Sequence, residues 1–273
     1  GDSVQVPKVD KSMLKPMSKF RIIGKNQPRV DVPPKSSGRA DFGIDAKVPG
    51  MVWAAVMRTP VQGEKPEKVD DSKAKAVQGV EKIVMLPYGV AVVADTFATA
   101  KKARDMLQVT WSDTSKVRSY DSDVALQEFV ARAEKADEAG DVWHKEGDVA
   151  AELKGAARTV SATFTSQHVA QCTMEPMNCM AKVDGDKITF WVPSQSASIV
   201  TGTADVVGGF KPENIQVNIT YLGGGYGRRV EADYAADAVF LAKAMPGVPV
   251  HVLWTREDDF LRSRPRPLTA QHI

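Results

Sequence analysis

Cysteine is scarce in this chain: Cys172 and Cys179 are the two among 273 residues. Their spacing fits no zinc or iron–sulfur pattern, so this chain is not expected to hold such a centre itself. A disulfide between them stays open, but two buried thiols are the favoured reading. Histidine is also rare. His144, His168, His251 and His272 form no metal motif with carboxylates and are read as structural or surface residues. Metal chemistry here would need a metal brought in by a cofactor. No long apolar run exists, so no segment is expected to span a membrane. No secretory signal is visible either. Neither sign of charge dominates: 36 basic and 34 acidic residues leave a net charge of +2. That balance gives no global attraction to nucleic acid. A starting methionine is missing too; Gly1 in its place is expected of a processed chain or of a piece of a longer one.

What is present describes a soluble globular protein, 43% hydrophobic and 26% charged, with a length that favours two domains. Residues 1–48 are rich in Lys, Pro and Ser, and 33–38 read as extended linker. An extended arm over 1–39 is therefore expected. Strands are expected at 51–57, 82–86, 90–94 and 107–111, with helices at 70–77 and 96–106. The resulting β-α-β-β-α-β order is a split βαβ arrangement, assigned to a first domain over 40–147. An acidic amphipathic helix at 122–136 and a polar connection at 137–147 end that domain. A second α+β unit over 148–273 follows. It has strands at 158–164, 181–183, 187–192, 215–221 and 248–254 and helices at 197–207 and 231–244. Asp184-Gly185-Asp186 reads as a hairpin turn, and Gly208-Gly209 as a helix end. The stretch 256–273 is charged and interrupted by proline, and no closing element is expected there. The fold class is thus α+β.

The densest chemical signal is Tyr221-Leu222-Gly223-Gly224-Gly225-Tyr226-Gly227-Arg228-Arg229. A strand that breaks into glycines before a helix lets backbone approach something closely. The two arginines suggest an anion or a polarised oxygen. A plain tight turn is the competing reading. No Gly-Lys-Ser/Thr follows, so this is not a phosphate-cradling Walker loop. Arg228 stands where a dinucleotide fingerprint needs its third glycine.

Two further segments sharpen the signal: Thr173-Met174-Glu175-Pro176-Met177-Asn178-Cys179 and Trp191-Val192-Pro193-Ser194-Gln195. With Phe20–Lys25, Phe42–Asp45, Val48–Met51, Gly89–Asp95, Leu222–Arg229 and Leu253–Asp259, their joint order resembles a known family. It is that of the molybdopterin-binding large subunits of xanthine dehydrogenases and aldehyde oxidases, most closely the isoquinoline 1-oxidoreductase β-subunit branch. The chain is similar to the middle part of such a subunit. The resemblance implies that the split domain is an α/β hammerhead and that 148–273 begins the molybdopterin-binding region. It implies a molybdenum hydroxylase that oxidises aldehydes or N-heterocycles with oxygen taken from water. The implied cofactor is molybdopterin with molybdenum, in its cytosine dinucleotide form. Implied partners are an iron–sulfur small subunit carrying 2Fe-2S clusters, the remainder of the large subunit and a cytochrome c as electron acceptor. The branch implies a bacterial periplasmic location, with the cytoplasm as the alternative.

The resemblance also assigns roles. Gln195 matches a glutamine whose amide contacts a molybdenum oxygen, a job suited to a neutral donor. Read without the resemblance, it is a residue beside a helix N-terminus capped by Ser194. Gly224, Gly225, Tyr226 and Gly227 match a Gly-Gly-Phe-Gly loop whose N–H groups face the cofactor and whose aromatic ring packs near substrate. The tyrosine ring could instead be core. Xanthine dehydrogenases carry a substrate-binding glutamate where this chain has Val230, with Glu231 one place on, which argues against purine recognition of that type. Glu231 is either a substrate residue or an acid favoured by the start of a helix. Arg266 matches an arginine that orients substrate, in a proline-rich context. Glu175 and Asn178 receive no role. The family's general base has no counterpart in this chain, so the chain alone is expected to be inactive. A non-catalytic assembly module of the same fold and a nucleotide-binding protein remain the competing readings.

Overall fold

The computed structural model describes residue 5 and residues 7–135 and 140–273. The end of the helix expected to reach 136 and the start of the connection expected from 137 lie outside the described residues. The chain divides into two compact units, Gly1–Ala40 and Asp41–Ile273. In the first, the segment expected to be extended linker forms a short helix, α1 (Val32–Ser36), with prolines in its first turn. Proline lacks the N–H that a first turn leaves unpaired in any case, so it starts a helix well. Asp31, at the start of α1, is ion-paired to Arg29 and Lys35.

The second unit opens with β1 (Val52–Arg58), β2 (Pro66–Asp70), α2 (Ser72–Lys75), β3 (Val80–Leu86), β4 (Gly89–Ala94), α3 (Phe97–Arg104) and β5 (Gln108–Trp111). The order expected from sequence is present, with β2 added. β2 was missed because Pro-Glu-Lys-Val-Asp shows too little apolar alternation; it pairs with β5 in a separate two-stranded sheet. Then come α4 (Ser122–Ala133), α5 (Val149–Gly155), β6 (Thr163–Ser166), β7 (Asn178–Asp184), β8 (Lys187–Val192), α6 (Ala197–Gly208), β9 (Ile215–Ile219), α7 (Asp233–Ala244), β10 (Val250–Leu253), α8 (Arg256–Arg262) and β11 (Thr269–His272). The last two elements correct the reading of 256–273 as unclosed. Thr255 and Asp258 form a reciprocal capping box that starts α8. β11 then pairs antiparallel with β6.

The main sheet has seven strands in the order β3-β4-β1-β10-β7-β8-β9. It is mixed: β1 runs parallel to β10 and β8 parallel to β9, while the other pairs are antiparallel. Strands from both sides of residue 147 share this sheet. Alternation decides its faces. Val52, Ala54, Ala181, Phe190, Val250 and Val252 point to one face, under α6 and the alanine-rich α7. Val90 and Val92 point to the other, under Ala74 of α2 and Ala103 of α3. β4 is covered on both faces and is buried throughout, which explains its uninterrupted apolar run.

One acid interrupts the apolar face of α7. Asp237 is fully buried and accepts hydrogen bonds from Arg58, from the Tyr88 hydroxyl at 2.7 Å and from the Trp254 indole at 3.1 Å. The Arg58 guanidinium also lies over the rings of Tyr88 and Trp254, 4.4 and 4.9 Å from their centroids. Burial works against the charge on Arg58, but Asp237 beside it outweighs that and raises its pKa. His251 is buried on β10, stacked on Trp53 of β1 at 4.7 Å. Neither ring nitrogen has a hydrogen-bond partner among the described residues.

Removing one partner of a buried, hydrogen-bonded charge leaves the other uncompensated. Asp237→Ala is therefore expected to cost about 3–5 kcal/mol in urea unfolding. His251 gives a pH dependence. Burial lowers its pKa from 6.5 to about 4, so the fold keeps it neutral where the unfolded chain binds a proton. Stability is full above the unfolded value and falls as the pH drops towards the folded one. The loss approaches about 3 kcal/mol. His251→Phe should remove that part of the acid sensitivity; an unchanged pH profile of unfolding would show that the ring carries none of it.

Candidate functional site

The glycine run follows β9 directly and precedes α7. Its backbone takes conformations that favour glycine: φ is +102° at Gly224 and +90° at Gly227. Tyr226 also has a positive φ, +52°, which is uncommon for a side-chain-bearing residue. Gly225 lies close against the Gln195 side chain. A Cβ there would stand 2.6 Å from Oε1 of Gln195. Gln195 and the glycine loop, 30 positions apart in sequence, thus come together as expected from their joint appearance in sequence.

The contacts between them are specific. Oε1 of Gln195 accepts the Gly227 N–H at 3.1 Å, and the Gln195 N–H donates to the Arg229 carbonyl at 3.2 Å. Ser194 is not a helix cap: its buried hydroxyl donates to the Arg229 carbonyl at 3.1 Å, while Ser196 precedes α6. Gln195 is exposed, and with its oxygen engaged its Nε2 stays available as a donor. The N–H groups of Gly224, Gly225 and Tyr226 donate to no acceptor among the described residues. The tyrosine ring is 72% exposed, so its reading as core does not hold.

The two arginines correct another expectation. Neither faces outward to meet an anion. Arg228 is buried, paired to Asp233 through both terminal nitrogens at 2.9 and 3.0 Å, and lies over Trp254. Arg229 is fully buried and reaches Glu175 Oε2 at 2.9 Å and the carbonyl of Gly224 at 2.8 Å. Burial lowers its pKa, against the pull of Glu175. Glu175 and Asn178, which had no assigned role, lie under the loop: Asn178 donates to Glu175 Oε1 at 2.9 Å.

Glu231 precedes α7 and pairs with Arg264 at 3.1 Å. Arg266 is exposed, and its backbone bridges to Val169. No hydrogen bond or ion pair among the described residues joins Arg266 to Gln195 or to the glycine loop. The arginine of this segment that reaches the start of α7 is Arg264. The proline-spaced repeat Arg264-Pro265-Arg266 offered no local signal to choose between them. Cys172 is exposed at φ +45° and Cys179 is buried, so only one of the two thiols is core. A cavity of about 570 Å³, lined by Arg58, Tyr88, Asp233, Arg262 and Arg264 among others, includes neither Gln195 nor the glycine loop. Among the described residues no cluster of His, Cys, Asp or Glu could hold a metal ion.

The arrangement is thus a set of donors without charge: three loop N–H groups and one side-chain amide that donate to no acceptor among the described residues. Such a set matches the oxygen-rich face of a bound group and holds no metal by itself. The described residues fit a bound group that accepts hydrogen bonds.

Residues 132–273 match the family model of the molybdopterin cofactor-binding domain. The chain is 37% identical over 267 residues to isoquinoline 1-oxidoreductase subunit beta of Brevundimonas diminuta, covering 95% of this chain and 34% of that protein. It is 30% identical to a membrane-bound aldehyde dehydrogenase (pyrroloquinoline-quinone) of Gluconacetobacter polyoxogenes, covering 95% and 34%. Quinoline 2-oxidoreductase from Pseudomonas putida 86 shares the fold, with a TM-score of 0.68 at 20% identity over 91% of this chain and 36% of that one. The chain spans about a third of the length of these relatives. Its α+β architecture with mixed sheets matches part of a molybdenum hydroxylase large subunit.

Two glycine substitutions should separate space from backbone contact. Gly225→Ala meets only the end of the flexible Gln195 side chain, so stability should change by less than about 1 kcal/mol. The Gly227 amide should lose its acceptor and exchange faster with deuterium. Gly223→Ala meets the Cβ of Glu175 at 2.4 Å and should cost about 1–3 kcal/mol. Equal losses of stability in the two variants would contradict this arrangement of the loop.

Proposed function

The chain belongs to the molybdopterin cofactor-binding domain family, and from that premise we propose that it is part of the large subunit of a molybdenum hydroxylase. The observation that carries this reading is that Gln195 lies against the glycine loop, where the N–H groups of Gly224, Gly225 and Tyr226 have no acceptor among the described residues. The substrate is an aldehyde or an N-heterocycle, the two classes named in the relatives at 30% identity or above. The family model favours a pterin over the quinone that one relative's name carries.

When bound, the cofactor supplies the redox-active metal that takes electrons from substrate. The chain supplies placement and polarisation. Gln195, held through its own oxygen by Gly227, presents N–H without adding charge. The loop amides act in the same sense, as fixed dipoles aimed where negative charge grows. The exposed Tyr226 ring offers substrate an apolar wall with a hydroxyl at its rim. The Glu231–Arg264 pair sits at the start of α7 as a polar border. Arg228 and Arg229 do no chemistry: Arg229 holds the loop through the Gly224 carbonyl, and Arg228 ties the end of the loop to Asp233 of α7.

In the same proposal the domain over 40–147 is the α/β hammerhead, and the pterin is the cytosine dinucleotide form. The 2Fe-2S clusters sit on a small subunit, a cytochrome c takes the electrons, and the complex works in the periplasm. Catalysis uses the remainder of the large subunit as well, so the chain by itself is inactive.

Metal and pterin analysis of the purified native complex is the direct test. Molybdenum with a pterin dinucleotide supports the proposal, and a metal-free complex rejects it. In the loaded complex, Gln195→Ala should lower turnover by about 10²–10³ while protein yield holds. Parental turnover would make Gln195 a structural residue.

A further inference from the structure

Two side chains hold both halves of the candidate site at once. The Glu175 carboxylate is almost completely buried and has four donors. Oε2 accepts the Gly223 N–H at 2.7 Å and Arg229 Nη2 at 2.9 Å. Oε1 accepts the Ile44 N–H at 2.8 Å and Asn178 Nδ2 at 2.9 Å. The Glu175 N–H returns a hydrogen bond to the Gly223 carbonyl at 3.0 Å, so these two residues are bound in both directions. Arg229 takes the next residue of the loop, donating through Nε to the Gly224 carbonyl at 2.8 Å. Its own carbonyl receives the Gln195 N–H and the Ser194 hydroxyl.

Among the described residues, the hydrogen bonds that join 223–229 to Ser194 and Gln195 run either to the Arg229 carbonyl or between Gly227 and Gln195. A buried ion pair is weak support for stability, because well-packed apolar residues often do as well. What apolar residues cannot do is accept the Gly223 N–H and donate to the Gly224 carbonyl. The directional bonds are the distinctive contribution of this pair.

We infer that Glu175 and Arg229 are a positioning pair: they set the loop N–H groups at a fixed place relative to the Gln195 amide. The inference rests on the proposed function for what the site then binds, and on geometry alone for the clamp. Asn178 and the Ile44 N–H complete the carboxylate's shell and fix its orientation.

The test uses Glu175→Gln, which keeps the shape but removes the charge paired with Arg229 and turns one of the two accepting oxygens into a donor that meets the N–H groups now bonded there. Deuterium exchange of the chain should rise roughly tenfold or more at 223–227 while the amides of β10 stay protected. In the loaded complex, the paramagnetic resonance signal of reduced molybdenum should shift for the metal that is bound. A purely structural role would lower the amount of bound metal without shifting its signal. Parental exchange at 223–227 overturns the clamp, whatever the site binds. A loosened loop with an unshifted signal overturns the positioning role; if Gln195→Ala also leaves the signal unshifted, the reading of the site has failed with it. Should Glu175→Gln not fold, Glu175→Asp keeps the charge and draws the carboxylate back from Gly223. The same outcomes then apply to that variant.

Discussion

A buried carboxylate in the middle of an apolar helix organises this protein. Asp237 has no water to solvate it, so the chain around it must supply donors. Arg58 comes from the end of β1, Tyr88 from the turn between β3 and β4, and the Trp254 indole from the end of β10. These elements are far apart in sequence, and the need to satisfy one carboxylate fixes α7 against the sheet at a single register. The aromatic rings complete the arrangement. Tyr88 and Trp254 flank the Arg58 guanidinium, and Trp254 also carries Arg228 on its face. The sheet core and the residue next to the glycine loop are thus linked through one indole.

The loop depends on that link. It starts at the end of β9 and must turn back to α7 in a few residues. Positive φ at Gly224, Tyr226 and Gly227 makes the reversal. Such a turn leaves N–H groups unpaired unless something accepts them. The chain satisfies Gly223 and Gly227 internally, through Glu175 and Gln195. It leaves the three between them with no acceptor among the described residues. The site is therefore defined as much by which amides the protein has covered as by which it exposes.

Charge at the site is used in an unexpected way. Arginines beside a glycine loop suggest anion binding, yet Arg228 and Arg229 are both spent inward on Asp233 and Glu175. The Arg229 guanidinium makes several directional bonds, to the carbonyls of Gly224, Pro193 and Glu175 among them, which suits it to pinning irregular backbone from below, while Arg228 forks onto the Asp233 carboxylate. The exposed donors that remain are neutral. A neutral, rigid donor set stabilises charge as it develops without attracting every anion in solution.

Much of this was legible in the sequence, and the limits have physical causes. The Asp184-Gly185-Asp186 turn and its flanking apolar residues identified β7 and β8; the apolar run of β4 marked a strand; Gly208-Gly209 marked the end of α6. Local chemistry suffices for these, because each depends on neighbours in sequence. The polar strand β2 and the short β11 were not legible, since each is stabilised mainly by a partner strand elsewhere. The α8 capping box was there to be read in Thr255 and Asp258. The glycine loop and Gln195 could be named as a pair from their motifs. That Gln195 lies against Gly225, that Arg264 and not Arg266 meets Glu231, and that Arg229 reaches Glu175 were decided only by the tertiary structure. Burial and pairing of a charged side chain depend on donors and acceptors brought from across the sheet. The sequence by itself determined the strands and helices of the central sheet layers and the glycine turn; the packing of α7 on the sheet decided which charges point inward and which donors are left to bind.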